Sequence, residues 1–291
     1  MWLLSLVLGI ALLYAGLVLI AALLQTKMLF PVQMAAANRP LLPPSAERLE
    51  VTAPDGNRLV GVRLGAPSNP KSPLLGFGGN AWNADSMALY LHSLFPDHEV
   101  IAFHYRGYAP SGGEPSAKAL FADALTIFDH LQQGRSHPII AIGFSIGSGV
   151  ASHVARHRPV NGLILVTPFD SLKALAREHF SWAPTGLLLR HHMPVIDLVK
   201  EQRTPTAMIA AGRDTIVPAR RSAPLRSAIP NLVLDRTITD AGHNDLYDHP
   251  AFVSAMREAV AIFEATAPRG ALTPRRAAPA PSPARAPVPC R

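Results

Sequence analysis

Ile139-Ile140-Ala141-Ile142-Gly143-Phe144-Ser145-Ile146-Gly147-Ser148-Gly149 is the stretch on which the reading of the chain turns. Its β-branched apolar start suits a buried strand. Gly-x-Ser-x-Gly follows, and Val150-Ala151-Ser152-His153-Val154-Ala155 continues with helical composition. A strand, a sharp turn and a helix are the setting that lifts a serine clear of the backbone as a nucleophile, with glycines where crowded backbone leaves no room for a Cβ. The pentapeptide alone is a modest signal in a chain with 20 glycines. A serine that only caps a helix fits the same residues. The flanking pattern favours the nucleophile.

Outward from Ser145, the chain alternates. Arg48 to Thr52 and Arg58 to Leu64 flank Pro54-Asp55-Gly56-Asn57, the pattern of a β-hairpin. Leu74-Leu75-Gly76-Phe77 predicts a short buried strand running into Gly78-Gly79-Asn80-Ala81, with a helix from about Asn83 to Leu94. Val100 to Phe103 reads as a strand, and Leu120, Phe121, Ala124, Leu125, Phe128 and Leu131 recur at helical spacing within Ala117 to Leu131. Beyond the central stretch, strands are expected at Leu163 to Val166, Ala207 to Ala210 and Leu232 to Leu234, and helices near Ala219 to Ser227 and Phe252 to Phe263. Apolar strands alternating with helices predict an α/β fold with a mostly parallel sheet covered on both faces. Chemistry in such sheets gathers at the carboxyl ends of the strands. Residues 168–203 interrupt the alternation with shorter helical pieces rich in apolar side chains, and hold the pair His191-His192. That segment is too short for a domain and fits a small cap or rim.

A serine hydroxyl needs a base to take its proton and a third group to orient the base. Two loops supply them in the order Ser, Asp, His. Ala211-Gly212-Arg213-Asp214 sets Asp214 just past a strand, and Asp240-Ala241-Gly242-His243-Asn244-Asp245 sets His243 in a glycine turn. The chain has 12 histidines, so it is position that selects His243. Asp240 and Asp245 are alternative orienting acids, or plain turn formers. An oxyanion would need two backbone donors. The N–H of Ile146, at the positive end of the helix after the turn, is one choice. The N–H of Asn80, in the glycine loop, is the other.

Taken together, Gly143-Phe144-Ser145-Ile146-Gly147, Phe77-Gly78-Gly79-Asn80, Tyr105-Arg106-Gly107-Tyr108, Gly212-Arg213-Asp214 with Val217-Pro218, and Gly242-His243-Asn244-Asp245 resemble the α/β-hydrolase superfamily over about Met28 to Ala265. Nearest in pattern are the membrane-anchored ABHD-type serine hydrolases, which carry one N-terminal hydrophobic helix and little cap. The resemblance implies Ser145 as nucleophile, Asp214 as orienting acid, His243 as base, and Asn80 with Ile146 as oxyanion donors. It implies cleavage of carboxylic esters or thioesters through an acyl-enzyme, on lipid-like acyl substrates. Gly78 departs from the pattern, since many relatives have a histidine there that braces the hole. The Arg106 and Tyr108 loop is read as structural. A peptidase of the same fold is disfavoured by the lack of a large selecting domain, and a membrane-tethered scaffold by the complete Ser-Asp-His set.

The remaining features set the surroundings. The stretch Trp2 to Leu24 is apolar, uncharged, and of the length a bilayer core needs, about 20 residues. A cleaved secretory signal would want a basic start, a shorter core and a small-residue cleavage box, so a retained anchor over residues 1–26 is expected. Lys27, Arg39 and Arg48 follow it, which favours a cytoplasmic catalytic domain. Residues 27–46, with Pro40, Pro43 and Pro44, read as a stiff linker, residues 47–267 as the catalytic domain, and the Pro/Ala/Arg stretch 268–291 as a disordered tail. Net charge is +7, yet no basic stripe with interleaved aromatics is present, so nucleic acid is not an expected partner. The lone Cys290 excludes a disulfide framework. No His-Glu-x-x-His, P-loop or dinucleotide motif appears, and no metal or cofactor is expected.

Overall fold

Along each central strand, successive side chains enter different cores. Leu75, Ile101, Ala141, Leu163, Leu165 and Met208 join one apolar cluster, whereas Leu74, Val100, Ile140, Ile142, Ile164 and Ile209 join another. The two-residue period of a strand sends neighbours to opposite faces, so both faces of this sheet are covered. The computed structural model describes residues 1–37, 39–65, 71–133, 135 and 137–266. The tail expected over 268–291, with Cys290, lies outside the described residues.

Among the described residues the strands form one 8-stranded sheet in the order β1-β2-β4-β3-β5-β6-β7-β8. They are β1 (Glu47–Thr52), β2 (Arg58–Leu64), β3 (Leu74–Phe77), β4 (Val100–Phe103), β5 (Ile140–Phe144), β6 (Gly162–Val166), β7 (Thr206–Ala211) and β8 (Leu232–Ile238). The expected hairpin is present: β1 pairs antiparallel with β2, and β2 antiparallel with β4. From β4 onward every pairing is parallel. The helices are α1 (Trp2–Leu29), α2 (Val32–Ala37), α3 (Ala84–Leu94), α4 (Ala117–Gln132), α5 (Ile146–His157), α6 (Leu172–His179), α7 (Thr185–Leu188), α8 (Val195–Lys200), α9 (Ala219–Ala228) and α10 (Pro250–Thr266). Residues of α3 and α10 share the second cluster, and residues of α4, α5, α8 and α9 the first. The segment between β6 and β7 folds as the short pieces α6, α7 and α8, tied back to α9 by Arg221 on Asp170 and Glu178.

The N-terminal part departs from a simple anchor and linker. Helix α1 is long and apolar enough to cross a membrane by length and composition. It runs on to Leu29. Phe30 is then buried, and α2 docks through Ala35, whose carbonyl accepts from Asn83 Nδ2 at 2.9 Å. The first part of the 27–46 stretch is therefore packed structure. Pro40, Pro43 and Pro44 lie beyond that packed part.

The start of α3 follows the glycine loop and is held firmly. Asn83 caps it, accepting from Asp85 N at 2.9 Å. Asp85 is buried, and Arg48 of β1 grips it bidentately at 2.6 and 2.8 Å while His104 Nε2 lies 3.2 Å away. Burial pushes this carboxyl up, but the hydrogen bonds from His104 and Arg48 outweigh it and hold the carboxyl at about 2. A lowered native value stabilises the fold fully above the unfolded value near pH 4, and the contribution is lost as pH falls toward 2. Asp85→Asn is thus expected to be less stable than the native chain near neutrality, with the difference closing between about pH 4 and pH 2. Urea midpoints across that range read it directly, and a constant difference would contradict it.

Candidate active site

Five loops leave the carboxyl edge of the sheet side by side. Gly78 to Asn80 follows β3, Ser145 follows β5, Thr167 follows β6, Asp214 lies three residues past β7, and His243 five residues past β8. The order β3-β5-β6-β7-β8 makes these strands successive neighbours, so residues distant in sequence meet at one edge.

Ser145 is held at φ 52°, ψ −116°, a conformation an L-residue adopts only under restraint. The restraint is visible. Ser145 N–H donates to the Val166 carbonyl at 2.9 Å, and its own carbonyl accepts from Ser148 N at 2.9 Å and Ser148 Oγ at 2.6 Å. The flanking glycines are required by space. A Cβ on Gly147 would lie 2.1 Å from the Phe77 carbonyl oxygen, and one on Gly143 would lie 2.4 Å from the Gly147 oxygen. The side chain makes no capping hydrogen bond to α5. The hydroxyl of Ser145 is therefore not serving as a helix cap.

The loops that carry Asp214 and His243 are stitched together by backbone. Gly212 N–H donates to the Ile238 carbonyl at 2.8 Å and Arg213 N–H to the Ala241 carbonyl at 2.9 Å. A Cβ on Gly212 would meet the Thr239 oxygen at 2.5 Å, so only glycine allows this approach. Asp214 Oδ1 accepts from the backbone of Ile216 at 2.9 Å and Val217 at 2.7 Å, which leaves Oδ2 to accept from His243 Nδ1 at 2.7 Å. Both side chains are largely enclosed, 2% and 9% exposed. With Nδ1–H committed to the carboxylate, Nε2 keeps its lone pair and has the character of a base. No hydrogen bond joins Ser145 Oγ to that ring; hydrogen bonds of this kind often tighten only in the complex with substrate.

The other acids weighed from the sequence are engaged elsewhere. Asp245 Oδ1 accepts from Gly242 N at 2.5 Å and so shapes the histidine turn, while Asp240 pairs with His249 at 3.2 Å.

Across from Ser145, the N–H groups of Asn80 and Ile146 find no acceptor among the described residues. The glycine loop lies against the elbow: a Cβ on Gly79 would be 3.8 Å from Ser145 Cβ. The loop read from the sequence as structural, with Tyr105 and Tyr108, holds the glycine loop from the other side. Tyr105 Oη donates to the Gly78 carbonyl at 2.8 Å, and Tyr108 Oη to the Asn80 carbonyl at 2.6 Å. The loop that carries them is fixed by Arg106, which forks onto Asp123 at 2.9 and 2.5 Å and also pairs with Asp55. Tyr108→Phe is expected to lower kcat about tenfold with KM little changed, because the lost bond orients the Asn80 peptide and not the ground state. An equal rise in KM would point to a binding role instead.

Trp82, Phe144 and Tyr247 form an aromatic group behind the histidine turn, with centroids 4.9 to 5.9 Å apart. Thr167 is a residue that sequence reading misses. It sits between the Ser145 and Asp214 strands at φ 46°, a costly backbone for a β-branched residue. Its N–H donates to the Ile209 carbonyl at 2.8 Å, and no local signal in the sequence marks it.

Residues 74–192 match the α/β-hydrolase fold family. An uncharacterized protein of Mycobacterium tuberculosis is 34% identical over 223 residues, 74% of this chain and 79% of that one. Lysophosphatidylserine lipase ABHD12 of Gallus gallus is 35% identical over 88 residues, 28% of this chain and 23% of the lipase. Among solved structures, an esterase of Pyrococcus furiosus superposes with TM-score 0.62 at 19% identity, over 78% of this chain and 95% of that one, a likeness of fold. The chain belongs to the α/β-hydrolase superfamily and is similar to its ABHD-type members.

Proposed function

We propose that the protein is a membrane-anchored serine hydrolase that cleaves carboxylic esters or thioesters of lipid-like acyl groups. The observation that carries the reading is the Asp214–His243 pair, at the same sheet edge as a strained serine whose hydroxyl is uncommitted. In the forward step Ser145 Oγ attacks the acyl carbon while His243 Nε2 takes its proton. The tetrahedral oxyanion is held by the free N–H groups of Asn80 and Ile146. Collapse expels the alkoxide or thiolate, which receives the proton from His243, and leaves the acyl-serine. Water, deprotonated by the same nitrogen, then releases the acid and restores Ser145.

The lipid-like substrate is supported by the relative named as a lysophosphatidylserine lipase and by the apolar cap. Anchoring is supported by the length and hydropathy of α1. A cytoplasmic catalytic domain is the orientation favoured by Lys27, Arg39 and Arg48. Purified full-length protein is expected to be labelled by a fluorophosphonate probe at Ser145 and to turn over p-nitrophenyl esters. Absence of labelling in folded protein would favour a non-catalytic scaffold.

A further inference from the structure

Helix α1 is more than a tether. Tyr14 Oη donates to the Trp182 carbonyl at 2.9 Å, Gln25 Nε2 to the Leu188 carbonyl at 3.0 Å, and Arg190 N to Gln25 Oε1 at 2.8 Å. Thr26 Oγ1 lies 2.8 Å from His191 Nε2, and the His191 ring meets Phe30 edge-on at 5.2 Å. Between the clasped helix and α6 and α7 lies a cavity of about 250 Å³ with an almost wholly apolar lining that includes Val18, Ala22, Leu29, Leu175, Phe180 and Leu188. Gln25 also borders it, but its amide is occupied in the clasp.

The depth of this cavity follows from the helix. At about 1.5 Å per residue, the 28 residues of α1 measure roughly 42 Å. Contacts with the cap begin at Tyr14, so the stretch from Trp2 to Leu13 is only about 18 Å long, short of the ~30 Å hydrocarbon core. If α1 is to lie in hydrocarbon, the tip of the cap enters with it. The outward surface there is suited to that: Leu187 is 87% exposed and Trp182 is 47% exposed. On its other side the cavity reaches toward the site. His179, in its wall, lies with Nε2 2.7 Å from the Ile216 carbonyl, and Ile216 N–H donates to Asp214 Oδ1. Ser145, Asp214 and His243 themselves are not part of the lining.

We propose that α1 and the cap together form a chamber that takes one acyl chain directly from the bilayer leaflet, so that the anchor helix is part of the substrate site. The inference rests on the ester-hydrolase reading above and adds the route by which its substrate arrives. The occupant is an acyl chain because one wall is the helix that contacts bilayer lipid and the lining offers almost no polar partners. It is one chain because the volume lies just below the usual range of small-molecule sites, about 300–1,000 Å³.

Full-length protein in phosphatidylcholine vesicles tests this with p-nitrophenyl butyrate and p-nitrophenyl palmitate. Ala22→Trp and Ala176→Trp fill the chamber from opposite walls. Each is expected to lower the palmitate-to-butyrate ratio of kcat/KM about tenfold or more. An unchanged ratio in both variants, with thermal transitions intact, would overturn the proposal. Ala22→Leu repeats the measurement in the same direction if tryptophan prevents folding. A diazirine-bearing palmitic acid in the same vesicles gives a readout independent of turnover. Its cross-links are expected on α6 at Leu175 and Ala176 and are expected to disappear in Ala22→Trp. Cross-links confined to Trp2–Leu13 would overturn the chamber. If the unaltered protein hydrolyses neither ester, the hydrolase reading fails, and the cross-linking still decides the chamber.

Discussion

Ser145→Ala is expected to lower kcat/KM toward a simple acyl ester by about 10⁴-fold or more, while the folded chain survives. Removing the oxygen that forms the acyl-serine leaves only the hole formed by Asn80 and Ile146, whose residual effect is far smaller than that of the full set. Stability should move little, because the hydroxyl makes no hydrogen bond among the described residues and alanine meets the same φ of 52°. Ser145→Gly sharpens the test. It removes the nucleophile equally, yet relieves a backbone conformation costing about 1–3 kcal/mol in a non-glycine residue. The glycine variant should therefore melt above the native chain while being as inactive as the alanine variant. Activity within tenfold of native in either variant would remove Ser145 from the chemistry.

The contrast between Ser145 and the tyrosines shows what one chain discloses about its fold and site. Glycines 143 and 147 can be read from the sequence because their cause is local: the turn leaves no room for a Cβ, and the strand and helix on either side have clear periodicities. The parallel strands could be read for the same reason, although β8 runs four residues beyond its apolar start, where Asp235 to Thr237 face outward. Asp214 and His243 could be placed only at loop positions. The resemblance already points to Asp214 over Asp240 and Asp245, and in the structure Asp214 is the one of the three whose carboxylate meets His243. The loop of Tyr105 and Tyr108 could be read as structural, but its partners, backbone carbonyls 27 and 28 residues away, could not. The clasp of α1 on the cap is likewise non-local. Gln25 and Thr26 look like the polar end of a span until their partners at 188, 190 and 191 are seen.

Asp214→Asn is expected to cost about 10⁴-fold in kcat/KM, although it changes one atom. The reason lies in how the two oxygens are used. Oδ1 is fixed by the N–H groups of Ile216 and Val217, so the asparagine amide must keep its oxygen there and turn its NH₂ toward His243. Nδ1 of the ring then meets a donor where it formerly met an acceptor at 2.7 Å. The neutral imidazole answers by carrying its proton on Nε2, the nitrogen that must be empty to take the proton of Ser145. Thermal stability should fall only slightly, since the two backbone contacts survive. Asp245→Asn keeps an oxygen for Gly242 N, and Asp240→Asn loses only an exposed partner of His249. Both should stay within about tenfold of native kcat/KM, the effect of roughly 1.4 kcal/mol. A larger loss from Asp240→Asn or Asp245→Asn than from Asp214→Asn would assign the orienting carboxylate to another loop, and with it a different resting position for His243.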